Sequence, residues 1–228
     1  MHFQRGSSLV VLQLSVILIA LASVQLSAQD VSKTTAAPDH FRWSESYAHE
    51  LNYDHTLATA NELSPELRKA LSHAIRKQLI RILRRKDDLD DESPEDLNKL
   101  VARTRIELLD LNGDGNPEIL AQANGIPACG ATGNCSWLIF EQSPVGLKLL
   151  LETTWGFEVI AVRPWKTNSY RDIVLGAHVS ATERELDLFK YDGAMYRRDS
   201  CYWRRYTGDH GEDVKIPWVA RTDCGKDD

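Results

Sequence analysis

From Leu67 onward apolar residues recur at Leu67, Leu71, Ile75, Leu79 and Leu83, a spacing that puts them on one face of a helix. Ser64 precedes this run as an N-cap, Pro65 takes the first helical position and Glu66 lies in the first turn. The pattern predicts an amphipathic helix of about 20 residues. Its other faces carry Arg68, Lys69, Arg76, Lys77, Arg81, Arg84, Arg85 and Lys86, and the basic end suits the negative end of the helix dipole. These cations read as a solvated face. An acidic run, Asp87-Asp88-Leu89-Asp90-Asp91-Glu92, follows, and Ser93-Pro94-Glu95-Asp96 opens a second short helix toward Ala102. After residue 102 the period changes. β-branched and aromatic residues gather in short runs that predict strands near 104–110, 118–124, 136–141, 146–152, 157–163, 171–178, 185–190 and 195–203. The eight fall into two groups of four with a similar order of strand, polar loop and hairpin. The expected fold is therefore α+β, with N-terminal helices packed on an antiparallel region of about eight strands in two four-stranded, blade-like units.

The first 28 residues follow a different pattern. Arg5 lies in a polar head, an apolar stretch runs from Leu9 to Ala22, and Leu26-Ser27-Ala28 fits a cleavage site. Gln13 and Ser15 interrupt a run already short for a membrane span, so a cleaved signal peptide is expected and the mature chain begins at Gln29. Residues 29–43 read as a mobile mature N-terminus, 44–102 as a helical segment and 103–228 as the β domain. The expected location is periplasmic or extracellular. Of 228 residues, 43% are hydrophobic and 26% charged, proportions that build a core and exclude disordered, collagen-like and multi-span classes. The net charge of −6 falls to −7 without the leader, whose only charged residue is Arg5, so neither nucleic acid nor an anionic membrane is an expected partner.

Four cysteines in an exported chain pair in three ways, and sequence alone does not choose among them. Gly130 and Gly133 between Cys129 and Cys135 favour a local bridge there, which leaves Cys201 with Cys224. The six-residue spacing suits neither zinc nor a thioredoxin-like centre.

The segment Asp110-Leu-Asn112-Gly-Asp114-Gly-Asn116-Pro-Glu118 puts oxygen-bearing side chains at positions 1, 3, 5 and 9 of a Gly-bent loop, with the Asn116 carbonyl at position 7. Ca²⁺ takes six to eight oxygens, and alternating side chains of this kind supply them. An EF-hand needs a bidentate Glu at position 12, which here is Ala121, and strand rather than helix follows. The loop instead resembles the calcium loop of the FG-GAP (integrin-type, VCBS-like) repeats of β-propellers, D-x-N-x-D-G-x-x-D, with Glu118 in place of the last Asp. That resemblance covers about 20 residues around 104–124. It implies one Ca²⁺ held by Asp110, Asn112, Asp114, Asn116 and Glu118 in an exported protein that binds partners or stabilises a scaffold. A propeller closes with four to eight blades, and this chain has room for about two. The second group carries Arg163-Pro-Trp-Lys-Thr-Asn-Ser-Tyr-Arg171 where the acidic loop would recur, so one cation site is expected.

Other residues support weaker readings. His49-Glu50 and His55 have the wrong spacing for a helical zinc pair. His178, with Asp172 before it and Glu183 after it, is the candidate acid/base of a rival reading, an extracytoplasmic hydrolase, although no nucleophile motif accompanies it. A third reading is a secreted inhibitor of a hydrolase, with the Cys129–Cys135 loop as its projecting element. Trp137, Trp155, Trp165, Trp203 and Trp218 with Tyr196, Tyr202 and Tyr206 offer core packing or a face for a protein or glycan. Asn134-Cys135-Ser136 fits a glycosylation sequon. The sequence favours a calcium-binding structural or interaction module without catalysis.

Overall fold

The structure, a computed structural model, describes residues 48–49, 54–85, 93–154, 156–205 and 218–224. The leader, residues 29–43 and the acidic run at 87–92 lie outside the described residues. Chain order is β1 (Ala48–His49), α1 (Pro65–Arg85), α2 (Pro94–Arg103), β2 (Arg105–Leu109), β3 (Glu118–Gln122), β4 (Trp137–Ser143), β5 (Gly146–Glu152), β6 (Val159–Thr167), β7 (Tyr170–Ser180), β8 (Glu183–Tyr191), β9 (Tyr196–Arg205) and β10 (Trp218–Thr222). The fold is α+β and mostly β. Strands β2-β3-β4-β5 form one antiparallel sheet, and β1-β6-β7-β8-β9-β10 form a second. Each predicted group of four is a meander of neighbours. The second meander gains two edge strands, β1 on β6 and β10 on β9, which its short and polar flanking sequences did not predict.

The helix caps are as the sequence predicts: the Ser64 hydroxyl accepts from the Leu67 amide at 3.1 Å, and Ser93 accepts from Asp96 at 3.2 Å. Helix α1 buries Leu71, Ile75, Leu79, Ile82 and Leu83 almost completely, each worth about 1.5–3 kcal/mol of transfer free energy. They pack on Ile106, Ile119, Ala121, Leu138 and Phe140 of the four-stranded sheet. The alternate residues Leu120, Trp137 and Ile139 point the other way and meet Ile160, Val162, Ile173, Leu175 and Phe189 of the six-stranded sheet. A bulge in β5 lets both Leu150 and Leu151 join this second core. Every residue of β3 is buried, because helices cover one face and the second sheet covers the other.

Two bridges close the molecule, Cys129 with Cys135 and Cys201 with Cys224. Among the described residues no cysteine is free and no helix is long and apolar enough to cross a membrane.

Candidate functional site

The loop at 110–118 joins β2 to β3, whose last pair is Leu109 with Glu118. It winds through Gly113 and Gly115, at φ of 83° and 87°, a left-handed backbone that glycine adopts without a Cβ penalty. The Asp110 carboxylate accepts from the amides of Gly113 at 2.6 Å and Gly115 at 3.1 Å. These backbone donors, Gly113 foremost, hold its carboxyl below the usual range. Asn112 Oδ1 accepts from the Asp114 amide at 2.8 Å, and Asp114 Oδ1 accepts from the Asn116 amide at 2.6 Å. Glu118 is 1% exposed at the base of the loop, where Oε2 accepts from the Leu111 amide at 2.7 Å. Burial pushes this carboxyl up, and Asp114 and Asp110 add to the shift. The Asn112 amide donates to Asp114 Oδ2 at 3.0 Å and to Glu118 Oε1 at 3.3 Å.

The side-chain donors around the loop are three carboxylates and one amide, all oxygen, the chemistry a hard cation takes. The carboxylates of Asp110, Asp114 and Glu118 do not come within 4.8 Å of one another as a set, because each is spread around the ring by its own backbone donor. Among the described residues the group that does is Glu185, Asp187 and Cys201. It offers no thiolate, since the Cys201 sulfur is bonded to Cys224, and Asp187 pairs with Arg198 at 3.3 Å.

The β6–β7 hairpin closes over the loop from the second sheet. Lys166 Nζ donates to the Asn112 carbonyl at 2.5 Å, and the Arg171 amide donates to the Leu111 carbonyl at 2.9 Å. Tyr170 lies beneath, with its hydroxyl 3.4 Å from the Asn112 amide and donating to Glu141 at 2.8 Å; burial pushes this phenol well up. On the same hairpin Trp165 is 54% exposed, with the Arg163 guanidinium 4.4 Å from its ring centroid.

His178 sits near the end of β7. The carboxylate beside its ring is Glu158, at 3.8 Å, which also pairs with Arg184 at 2.9 Å. The partners named from sequence lie elsewhere. Asp172 is buried toward the other end of the strand and accepts from the Thr167 hydroxyl at 2.7 Å, and Glu183 stands opposite Ser180. Sequence proximity along a strand misled here, because six residues of strand separate two side chains by about 20 Å. Asn134 clamps the disulfide loop to β7: its amide donates to the His178 carbonyl and its oxygen accepts from the His178 amide, both at 2.8 Å. That same clamp occupies the amide a glycan would need. His55 bonds the Ile106 carbonyl and Glu62, so it serves the fold. Trp137, Tyr196 and Tyr202 are buried. The side chains of Trp155, Tyr206 and Trp218 lie outside the described residues.

A cleft of about 440 Å³ between the sheets escaped the sequence reading. Glu152 and Asp187 line it, at 7% and 2% side-chain exposure; Arg85 and Arg81 hold the first, Arg198 the second. Its signal was single carboxylates inside apolar runs, Leu149-Leu-Leu-Glu152 and Leu186-Asp-Leu188. Comparison of the chain with protein-family profiles, with curated proteins and with solved structures found no match.

Proposed function

We propose that the chain is an exported structural or interaction module that takes one Ca²⁺ in the 110–118 loop and has no catalytic role. The observation that carries this reading is the loop's winding. Oxygens at 110, 112, 114 and 118 alternate around two left-handed glycines, and Asp110 already accepts from two loop amides. The side chains of Asp110, Asn112, Asp114 and Glu118 and the Asn116 carbonyl would hold the ion. Bound there, it would supply positive charge to three loop carboxylates, one of which, Glu118, is pushed up first by burial and then by Asp114 and Asp110. Two disulfides suit an oxidising compartment beyond the cytoplasm. The two meanders stacked through one core fit a pair of blade-like units of the FG-GAP kind. The partner is a protein or a glycan, and Ile126, 85% exposed beside the disulfide loop, and Trp165 are apolar points where it can land. The hydrolase reading is weaker, since Glu158 is already engaged by Arg184.

The test is the melting temperature of oxidised protein in EGTA and in 10 mM Ca²⁺, beside Asp114→Ala. With a dissociation constant near the extracellular range of about 0.1–1 mM, saturation stabilises by about 1.4–2.7 kcal/mol, or about 3–10 °C. The wild type gains this and the variant does not. No gain in the wild type reduces the loop to a turn.

A further inference from the structure

The loop already touches a cation of the protein's own. Lys166 Nζ lies 2.5 Å from the Asn112 carbonyl, and a Cβ built on Gly113 would stand 2.9 Å from it. Lys166 reaches the loop from the second sheet, next to the bulge where β6 and β7 lose register between Val162 and Lys166. The hairpin beyond it turns through Asn168 and Ser169 at φ of 48° and 75°, so the lysine is presented by a backbone shaped for a tight turn. The Arg171 amide on the Leu111 carbonyl fixes the other side of the hairpin to the loop.

We propose that Lys166 is the affinity-determining residue of the 110–118 loop: its tethered ammonium steadies the ion-free loop and opposes Ca²⁺, and so sets the concentration at which the loop fills. This rests on the calcium reading above. A loop carbonyl that already accepts from an ammonium carries positive charge at its rim, and a divalent ion arriving there meets like charge at short range. The arrangement also places the exposed Trp165 one residue from the lysine that must give way.

The experiment is calorimetric titration of Ca²⁺ into calcium-stripped protein at 20 mM and 300 mM KCl, with wild type, Lys166→Gln and Lys166→Arg, and melting curves of each in EGTA. Gln keeps an N–H donor for the carbonyl and loses the charge; Arg keeps the charge. The expected result is that Lys166→Gln binds Ca²⁺ about three- to thirtyfold more tightly at low salt, with a smaller gain at 300 mM KCl. Lys166→Arg stays within about twofold of wild type, and Lys166→Gln melts lower than wild type in EGTA. Equal or weaker binding by Lys166→Gln, while the wild type binds, overturns the role of Lys166 and leaves the calcium site standing. An unchanged or higher melting temperature of Lys166→Gln in EGTA overturns its part in steadying the loop. Absence of heat and of a melting shift in all three proteins at 10 mM Ca²⁺ overturns the calcium reading and this inference with it.

Discussion

Asp172 shows what a single buried carboxylate does to this fold. It is 5% exposed, and desolvation pushes its pKa up against the Thr167 hydroxyl that favours the charged form. A folded-state pKa above the unfolded value of about 3.9 means that its stabilising contribution is complete below that pH. The contribution is lost as pH rises through the folded value. Asp172→Asn keeps an acceptor for Thr167 and carries no charge, so it should melt higher than wild type at pH 7, and the advantage should vanish by about pH 4. Melting curves from pH 3.5 to 8 check this; a constant difference across that range would mean that charge is not the cause. At the 110–118 loop, the tight turn was legible because alternating polar residues and two glycines leave a mark in local sequence. Lys166 was not legible, because nothing in a sequence relates residues 112 and 166 until two sheets stack.

Elements were the most legible level. The strand runs near 118–124, 146–152 and 185–190 overlie β3, β5 and β8, and the helix opened by Ser64 and Pro65 runs to Arg85. Period and capping are local properties, so the chain declares them without its partners. Close approach between elements is not local, and Gly156 is the case in point. A Cβ there would lie 2.3 Å from the carbonyl oxygen of Asn134, a backbone atom that cannot step aside. Gly156→Ala should therefore push the disulfide loop off the strand that follows it, where Cys135 and Phe157 exchange backbone bonds of 2.8 and 3.1 Å. A loss of about 2–4 kcal/mol is expected in denaturant unfolding, as for other forced overpacking. For the helical layer, Ile75→Ala empties a fully buried position between α1 and the first sheet and should cost about 2–5 kcal/mol by the same measurement. Ser93→Ala removes only a cap at α2 and should cost about 1 kcal/mol.

At the scale of the whole molecule the question is what makes two sheets one cooperative body. Apolar contact supplies most of the adhesion, through Trp137 and Ile139 against Ile160 and Leu175. Direction comes from a polar seam at the entry to the second sheet. The Phe157 carbonyl accepts from the Cys135 amide at 3.1 Å, from Trp137 Nε1 at 3.0 Å and from Gln122 Nε2 at 3.1 Å. Gln122, 1% exposed on β3, also donates to the Glu158 carbonyl at 3.2 Å and accepts from Arg105 at 2.8 Å. One amide thus ties β2 and β3 to the start of β6. Gln122→Leu keeps the volume and removes all three bonds. Phe157 retains two donors, so the cost falls on the Arg105 guanidinium and the Glu158 carbonyl, at about 2–3 kcal/mol in total. That corresponds to a fall of about 4–12 °C in melting temperature. If the seam joins the sheets into one unit, far- and near-ultraviolet circular dichroism should still trace one coincident transition in the wild type, displaced as a whole in the variant. Two separated transitions in the wild type would instead show that each sheet melts by itself and that the shared apolar core is too weak to couple them.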